Sequence, residues 1–160
     1  MPQPLPPDGR ARKTRQTFRL EYAVSCNIQA SPDTIWALLT NAAEIPRWNT
    51  AVTSVEGAIE LGRKIKVRVP IAPKRTFNLL VSELVPGTRM VWRDGMAPMF
   101  QGVRTYTLSP RPDGSTDFAM AEVFSGLMLP MIAGSLPDFT SSFEQYAADL
   151  KREAERSQGR

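Results

Sequence analysis

Arg104, Tyr106 and Glu122 are the side chains on which acid–base or polar-recognition chemistry would rest, and all three fall in one stretch, residues 100–126. That stretch, FQGVRTYTLSPRPDGSTDFAMAEVFSG, has two alternating runs around a Pro/Gly-rich turn, the pattern of a β-hairpin. Period-two alternation puts Arg104 and Glu122 on the face that also carries Phe100, Tyr106, Leu108, Phe118, Met120 and Phe124. With the turn on PRPDGS, Leu108 opposes Phe118, Tyr106 opposes Met120 and Arg104 opposes Glu122. Opposed Cβ atoms lie about 5 Å apart, within reach of a charge-assisted hydrogen bond.

The pair admits three readings. In the first, the two charges neutralise each other and fix strand register. In the second they form the polar end of an apolar cavity and orient a ligand hydroxyl, carbonyl or carboxylate. In the third, Glu122 is a desolvated base or Tyr106 a general acid, suited to enolisation and aldol-type cyclisation. The adjacent arginine weighs against the third, because a neighbouring cation lowers a carboxylate's pKa.

Other chemistry is largely excluded by composition. The chain has no histidine, so the commonest general base and metal ligand is missing and no Ser/His/Asp triad can form. With one cysteine besides, zinc, blue-copper and Rieske-type sites lack a ligand set. No GxxxxGK[ST] or GxGxxG string occurs, and the carboxylates are scattered. No metal and no cofactor are expected. Cys26 sits in a strand-like run and reads as a buried, inert thiol.

The elements that would position the hairpin follow from length and pattern. At 160 residues and 42% hydrophobic content, the chain fits one domain large enough to enclose a cavity. Its net charge of +4 is uneven, because residues 1–16 hold Arg10, Arg12, Lys13 and Arg15 against Asp8. This proline-rich stretch reads as a flexible basic tail belonging to no element. It has no interleaved aromatics, so no nucleic-acid partner is expected. The domain is assigned to residues 17–156. MPQPLPPDGR has no apolar signal region, and Pro130 interrupts GLMLPMIAG, far short of the roughly 20 residues of a bilayer span. A cytoplasmic protein without stable membrane insertion, monomeric or homodimeric, is the expectation.

FRLEYAVSCNIQA reads as a strand, and SPDTIWALLTN as a helix with Ser31 as N-cap, Pro32 at the first position and Asp33 in the first turn. Ile35, Leu38 and Leu39, with Trp36 beside them, give it one buried face. A second short segment, AAEIPRW, follows. Six strand-like runs, AVTSVEG, KIKVRVP, RTFNLLVSEL, RMVWRD, FQGVRTYTLS and TDFAMAEVFS, are then separated by turn signals. Connections this short leave no room for crossover helices, so the sheet is antiparallel. From about Leu136 to Glu155, Phe139, Phe143, Tyr146, Ala147, Leu150 and Ala154 recur at helical spacing, opposite Glu144, Gln145, Asp149, Lys151 and Arg152. The fold class is therefore α+β: a curved antiparallel sheet of about seven strands around one long C-terminal helix, with two short helices after the first strand.

If Phe100 and Tyr106 face inward, the neighbouring strand contributes Met90 and Trp92, and Gly102 leaves room for a Trp ring across the sheet. Trp48 closes the second short segment. Together Trp48, Met90, Trp92, Phe100, Met120, Phe124, Phe139 and Phe143 would form an aromatic, adaptable lining, with Arg104, Tyr106 and Glu122 as its polarity.

Several strings carry a family likeness: IQASPDTIWALLTNAAEIPRWN, ELVPGTRMVWR, FQGVRTYTLSPRPDGSTDF, AEVFSGLMLP and the terminal LKREAE. From about Phe18 to Glu155 the chain resembles the START-like (SRPBCC) superfamily with its helix-grip fold, most closely the polyketide cyclase/dehydrase and lipid-transport branch. The resemblance implies a small hydrophobic ligand, a lipid, polyketide or aromatic metabolite, held between sheet and terminal helix. The enzyme alternative is a cofactor-independent cyclase, dehydratase or isomerase using Glu122 or Tyr106 for proton transfer. A pure interaction module would instead have a filled interior and an exposed apolar patch.

Overall fold

The computed structural model describes residues 5–158. Eight antiparallel strands form one sheet: β1 (Arg12–Gln16), β2 (Arg19–Ile28), β3 (Ser54–Glu56), β4 (Lys64–Arg68), β5 (Phe77–Val85), β6 (Arg89–Met96), β7 (Phe100–Pro110) and β8 (Thr116–Ser125). Their spatial order is β1-β2-β8-β7-β6-β5-β4-β3, so the chain meanders from β3 to β8 and β2 closes against β8. Helices α1 (Pro32–Thr40) and α2 (Ile45–Trp48) link β2 to β3, a short α3 (Leu129–Ile132) follows β8, and α4 (Thr140–Gln158) ends the described chain. This is the α+β helix-grip arrangement.

Local chemistry explains the boundaries. The Ser31 hydroxyl accepts from the Thr34 backbone N–H at 3.2 Å, and Pro32 occupies the first turn, where it needs no donor. Ile35 and Leu39 are buried; Trp36 and Leu38 are half-buried against the core. Gly114, with φ of +88°, closes the β7–β8 turn in a conformation that disfavours other residues. The hairpin register is the expected one, with Leu108 opposite Phe118, Tyr106 opposite Met120 and Arg104 opposite Glu122.

Three features differ from the sequence reading. Residues 12–16 form β1, paired along β2 from Arg12↔Ala23 to Gln16↔Arg19, rather than a free tail; residues 1–4 of that tail lie outside the described residues. Every side chain of β1 is exposed, so no apolar alternation announces it. The backbone ladder and an Ala11 N–H bond to Glu144 Oε2 at 3.0 Å hold it instead. The sheet therefore has eight strands, one more than expected. The terminal helix starts at Thr140 rather than near Leu136, because α3 and a 3-10 turn over Ala133–Ser135 occupy the approach.

The expected helix stripe of Phe143, Tyr146, Ala147, Leu150 and Ala154 is buried. Each such aromatic or leucine contributes roughly 1.5–3 kcal/mol by leaving water. Asp149, expected on the polar face, is completely buried. Helix α4 packs mainly over β2, with α1 and α2 along its flanks. The sheet under its N-terminal end, where Phe139 leads into the helix, is less fully covered, and an open space remains there.

Candidate functional site: a cavity at one end of the grip

The space is a cavity of about 400 Å³, within the range of small-molecule sites. Its apolar wall comes from Val67, Val69, Phe77, Leu79, Phe100, Phe124, Leu136 and Phe139; its polar groups are Arg75, Thr76, Asn78, Asp94, Arg104 and Glu122. Strands β4 to β8 build the wall, and the chain entering α4 covers it. Phe100 and Phe124 stack at 6.1 Å, and Phe124 stacks on Phe139 at 5.9 Å, which fixes one side as a rigid aromatic surface.

Arg104 and Glu122 meet through one contact, Nε to Oε2 at 3.5 Å, with 16% and 14% of their side chains accessible. That area faces the cavity. The contact is too long for a bidentate fork, and Glu122 Oε2 is buried without a hydrogen-bond partner. Arg104 also lies over the Phe143 ring, 5.2 Å from its centroid, a cation–π contact. Burial pushes the Glu122 carboxyl up to about 7, against the opposing pull of Arg104; Asp94 adds to the rise. The sequence-based argument counted only the arginine, which does act to lower this pKa; burial acts the other way, and one long contact is a weak counterweight to it. Burial acts against the Arg104 charge too, but Tyr106 and Glu122 beside it outweigh burial and leave its pKa raised.

Asp94 is a site residue that the sequence reading did not name, although it shares the inward parity of Met90 and Trp92. It sits opposite Gly102, and a Cβ on Gly102 would come within 2.7 Å of Asp94 Oδ1 and 3.5 Å of the Phe124 ring. The glycine makes room for a carboxylate and a phenyl ring, not for a tryptophan. Burial raises the Asp94 pKa, with the Gly102 N–H and Arg104 pulling the other way. The signal available in sequence was a charged residue at a strand end directly before Gly95. Val67 and Val69 were visible in the alternation of KIKVRVP, but a lining role needs knowledge of which edge the helix leaves open.

Of the residues expected to line a site, Phe100, Arg104, Glu122, Phe124 and Phe139 surround the cavity. Met120 and Phe143 stand one layer deeper, around a recess of about 20 Å³ that Arg104 also borders, roughly the room one water needs. Trp48, Met90, Trp92 and Tyr106 do not reach the cavity and belong to the packed core. Trp48 packs edge-on to Tyr146 at 5.9 Å, and Trp92 edge-on to Tyr106 at 5.1 Å. Met90 is fully buried and opposes Tyr106. The Tyr106 phenol is buried and unpartnered, and burial raises its pKa, so it is not placed to give a proton to a molecule in the cavity. Parity identified the inward face correctly but not how far α4 fills it.

Cys26 is buried, and that burial pushes its thiol up to about 11. Its thiolate fraction is then about a hundredfold below that of an ordinary thiol. Iodoacetamide is expected to modify Cys26 in the native protein at least that much more slowly than in the urea-unfolded chain at one pH. A native rate within tenfold of the unfolded one would contradict the placement. Among the described residues no group of three or more Cys, Asp or Glu side chains is arranged to hold a metal, and no helix is long and apolar enough to cross a membrane.

Comparison with known proteins agrees with this architecture. Residues 19–155 match the family described as polyketide cyclase / dehydrase and lipid transport. A START superfamily protein from Mycobacterium smegmatis is similar at 16% identity and a TM-score of 0.63, over 86% of this chain and 98% of that one. A Mesorhizobium loti protein aligns at 18% identity with a TM-score of 0.66, over 86% and 98% of the two chains. A putative protein of the dynemicin biosynthetic locus aligns at 16% identity with a TM-score of 0.61, over 85% of this chain and 47% of that one. No curated protein matches. At these identities the structures establish the fold alone, and the match over residues 19–155 establishes the family: the chain belongs to the polyketide cyclase/dehydrase and lipid-transport family.

Proposed function

We propose that the cavity binds a small, largely apolar molecule, a lipid, polyketide or aromatic metabolite, that carries an oxygen function for the Arg104–Glu122 pair. The observation that carries this reading is the combination of a 400 Å³ aromatic-walled space with a charge pair whose single 3.5 Å contact leaves most of its hydrogen-bonding capacity unused. An Arg104 N–H would donate to a ligand carbonyl or carboxylate. Glu122 changes protonation near neutrality, so it would accept from a ligand hydroxyl or donate to a carbonyl. No cofactor or nucleic acid enters the proposal.

A second reading has its own support. A carboxyl with a pKa of about 7 is matched to proton abstraction at neutral pH, so cyclisation, dehydration or isomerisation of a polyketide-like substrate would use Glu122 as base, with Arg104 stabilising the enolate oxygen. A filled-interior interaction module is disfavoured by the cavity itself.

Fluorescence titration with 1-anilinonaphthalene-8-sulfonate, an aromatic anion, tests the site. The native protein is expected to bind it, and Arg104→Met to weaken binding about tenfold, the loss of one charge-assisted hydrogen bond. Trp92→Phe, in the packed core, should leave the affinity within twofold. No binding, or equal loss in both variants, would sink the reading. Activity toward a polyketide-like substrate that rises with pH through about 7 and vanishes in Glu122→Gln would favour the second reading over simple binding.

A further inference from the structure

Of the seven large apolar side chains exposed among the described residues, Leu61 and Val85 stand elsewhere, and the other five are Phe18, Met96, Met99, Leu127 and Met131, Met96 at 76% and Met131 at 81%. They do not scatter. Phe18 lies in the β1–β2 turn, Met96 and Met99 at the β6–β7 turn, and Leu127 and Met131 between β8 and the end of α3. Backbone hydrogen bonds join these three segments: Gly126 N–H to Phe18 O at 3.1 Å, Leu127 N–H to Pro98 O at 3.0 Å and Met128 N–H to Met99 O at 2.9 Å. They form one stitched tip at the end of the sheet where the cavity lies, since Gly95, Phe100 and Phe124 line that cavity.

Apart from Asp94, half-buried beside the cavity, the exposed charge around this tip has one sign to spare. Asp138 and Glu21 are engaged by Lys13 and Arg19. Arg15 beside Phe18, and Lys74 in the loop facing Leu136, are exposed and have no ion-pair partner among the described residues. Arg75, which lines the cavity, adds a third cation on that side. Protruding apolar side chains flanked by unpaired cations suit a surface with an apolar interior and anionic headgroups. A protein partner would instead need a broad complementary face, and these side chains project singly from three turns.

We propose that this tip docks on an anionic lipid bilayer, with Leu127, Met131 and Met96 entering the headgroup region and Arg15 and Lys74 on lipid phosphates. The contact concerns the surface and holds whatever the cavity carries.

Vesicle co-sedimentation of the full chain tests it, using phosphatidylcholine alone and phosphatidylcholine mixed with phosphatidylglycerol. The native protein should bind the mixed vesicles at least about tenfold more tightly, since each cation near such a surface contributes roughly fivefold. Leu127→Glu/Met131→Glu should abolish sedimentation while leaving anilinonaphthalene sulfonate binding intact, which separates a docking failure from a cavity or folding failure. Arg15→Glu/Lys74→Glu should remove the preference for mixed vesicles. Equal weak sedimentation with both lipids, or a Leu127→Glu/Met131→Glu variant that sediments like the native chain, would overturn the proposal. A native dimer that this same variant splits would also overturn it, by assigning the tip to a second copy.

Discussion

Glu122→Gln is expected to make the protein more stable near pH 8, by up to about 3 kcal/mol, and to leave stability unchanged near pH 4. The folded-state carboxyl titrates at about 7 against an ordinary value of 4.5. Below the ordinary value both folded and unfolded chains hold the proton and the group is neutral in its effect. As pH rises toward 7 the unfolded chain releases its proton first, so the stability present at low pH is lost through this window. Glutamine keeps the shape and never ionises. Urea unfolding of both proteins across this range, read as a difference, cancels every other titrating group. A variant less stable than the native protein at pH 8 would show that the Arg104 contact outweighs burial and that Glu122 belongs with ordinary ion-paired carboxylates.

The second large effect lies away from the cavity. Asp149 is fully buried, and its carboxylate accepts from the Thr50 N–H at 2.8 Å, the Thr50 hydroxyl at 2.7 Å, Gln145 at 2.9 Å and Arg152 at 2.7 Å. Asp149→Ala strands the Thr50 donors and removes the tie between α4 and the segment after α2, so a loss of about 3–5 kcal/mol is expected in urea unfolding at neutral pH. Burial acts to raise the Asp149 pKa, but the bonds from Thr50, Arg152 and Gln145 lower it by more. Its contribution is therefore present above the ordinary aspartate range and is lost as pH falls through the lowered value. A loss under 1 kcal/mol would mean that water replaces the carboxylate without cost.

The sequence carried the fold because each element has its own local signature. Ser31-Pro32-Asp33 starts α1, alternation on either side of PRPDGS sets the hairpin register, and the Phe143-to-Ala154 stripe marks α4. The cavity was only partly visible. Parity tells which way Trp92, Met90 and Tyr106 point, but not that neighbouring aromatics fill the space in front of them. Nor does it show that the opening falls under Phe139, with Asp94 tucked against Gly102. Asp149 was placed on the solvent side because helical periodicity ranks it by residue type, while its burial follows from a partner, Thr50, far away in sequence.

Strand β1 has a bearing on self-association. Without it, the ten-residue β2 would present a long, unpaired backbone ladder on one margin of the sheet, a ready template for pairing with another chain. Instead the outermost strand there is short and carries Arg12, Lys13 and Arg15, all exposed, charged side chains of the kind that blunt an edge strand, although Arg12 and Lys13 are paired with Asp8 and Asp138. The opposite margin ends in β3, only three residues long. The basic segment near the N-terminus, which composition reads as a flexible tail, thus covers the backbone ladder that β2 would otherwise leave open.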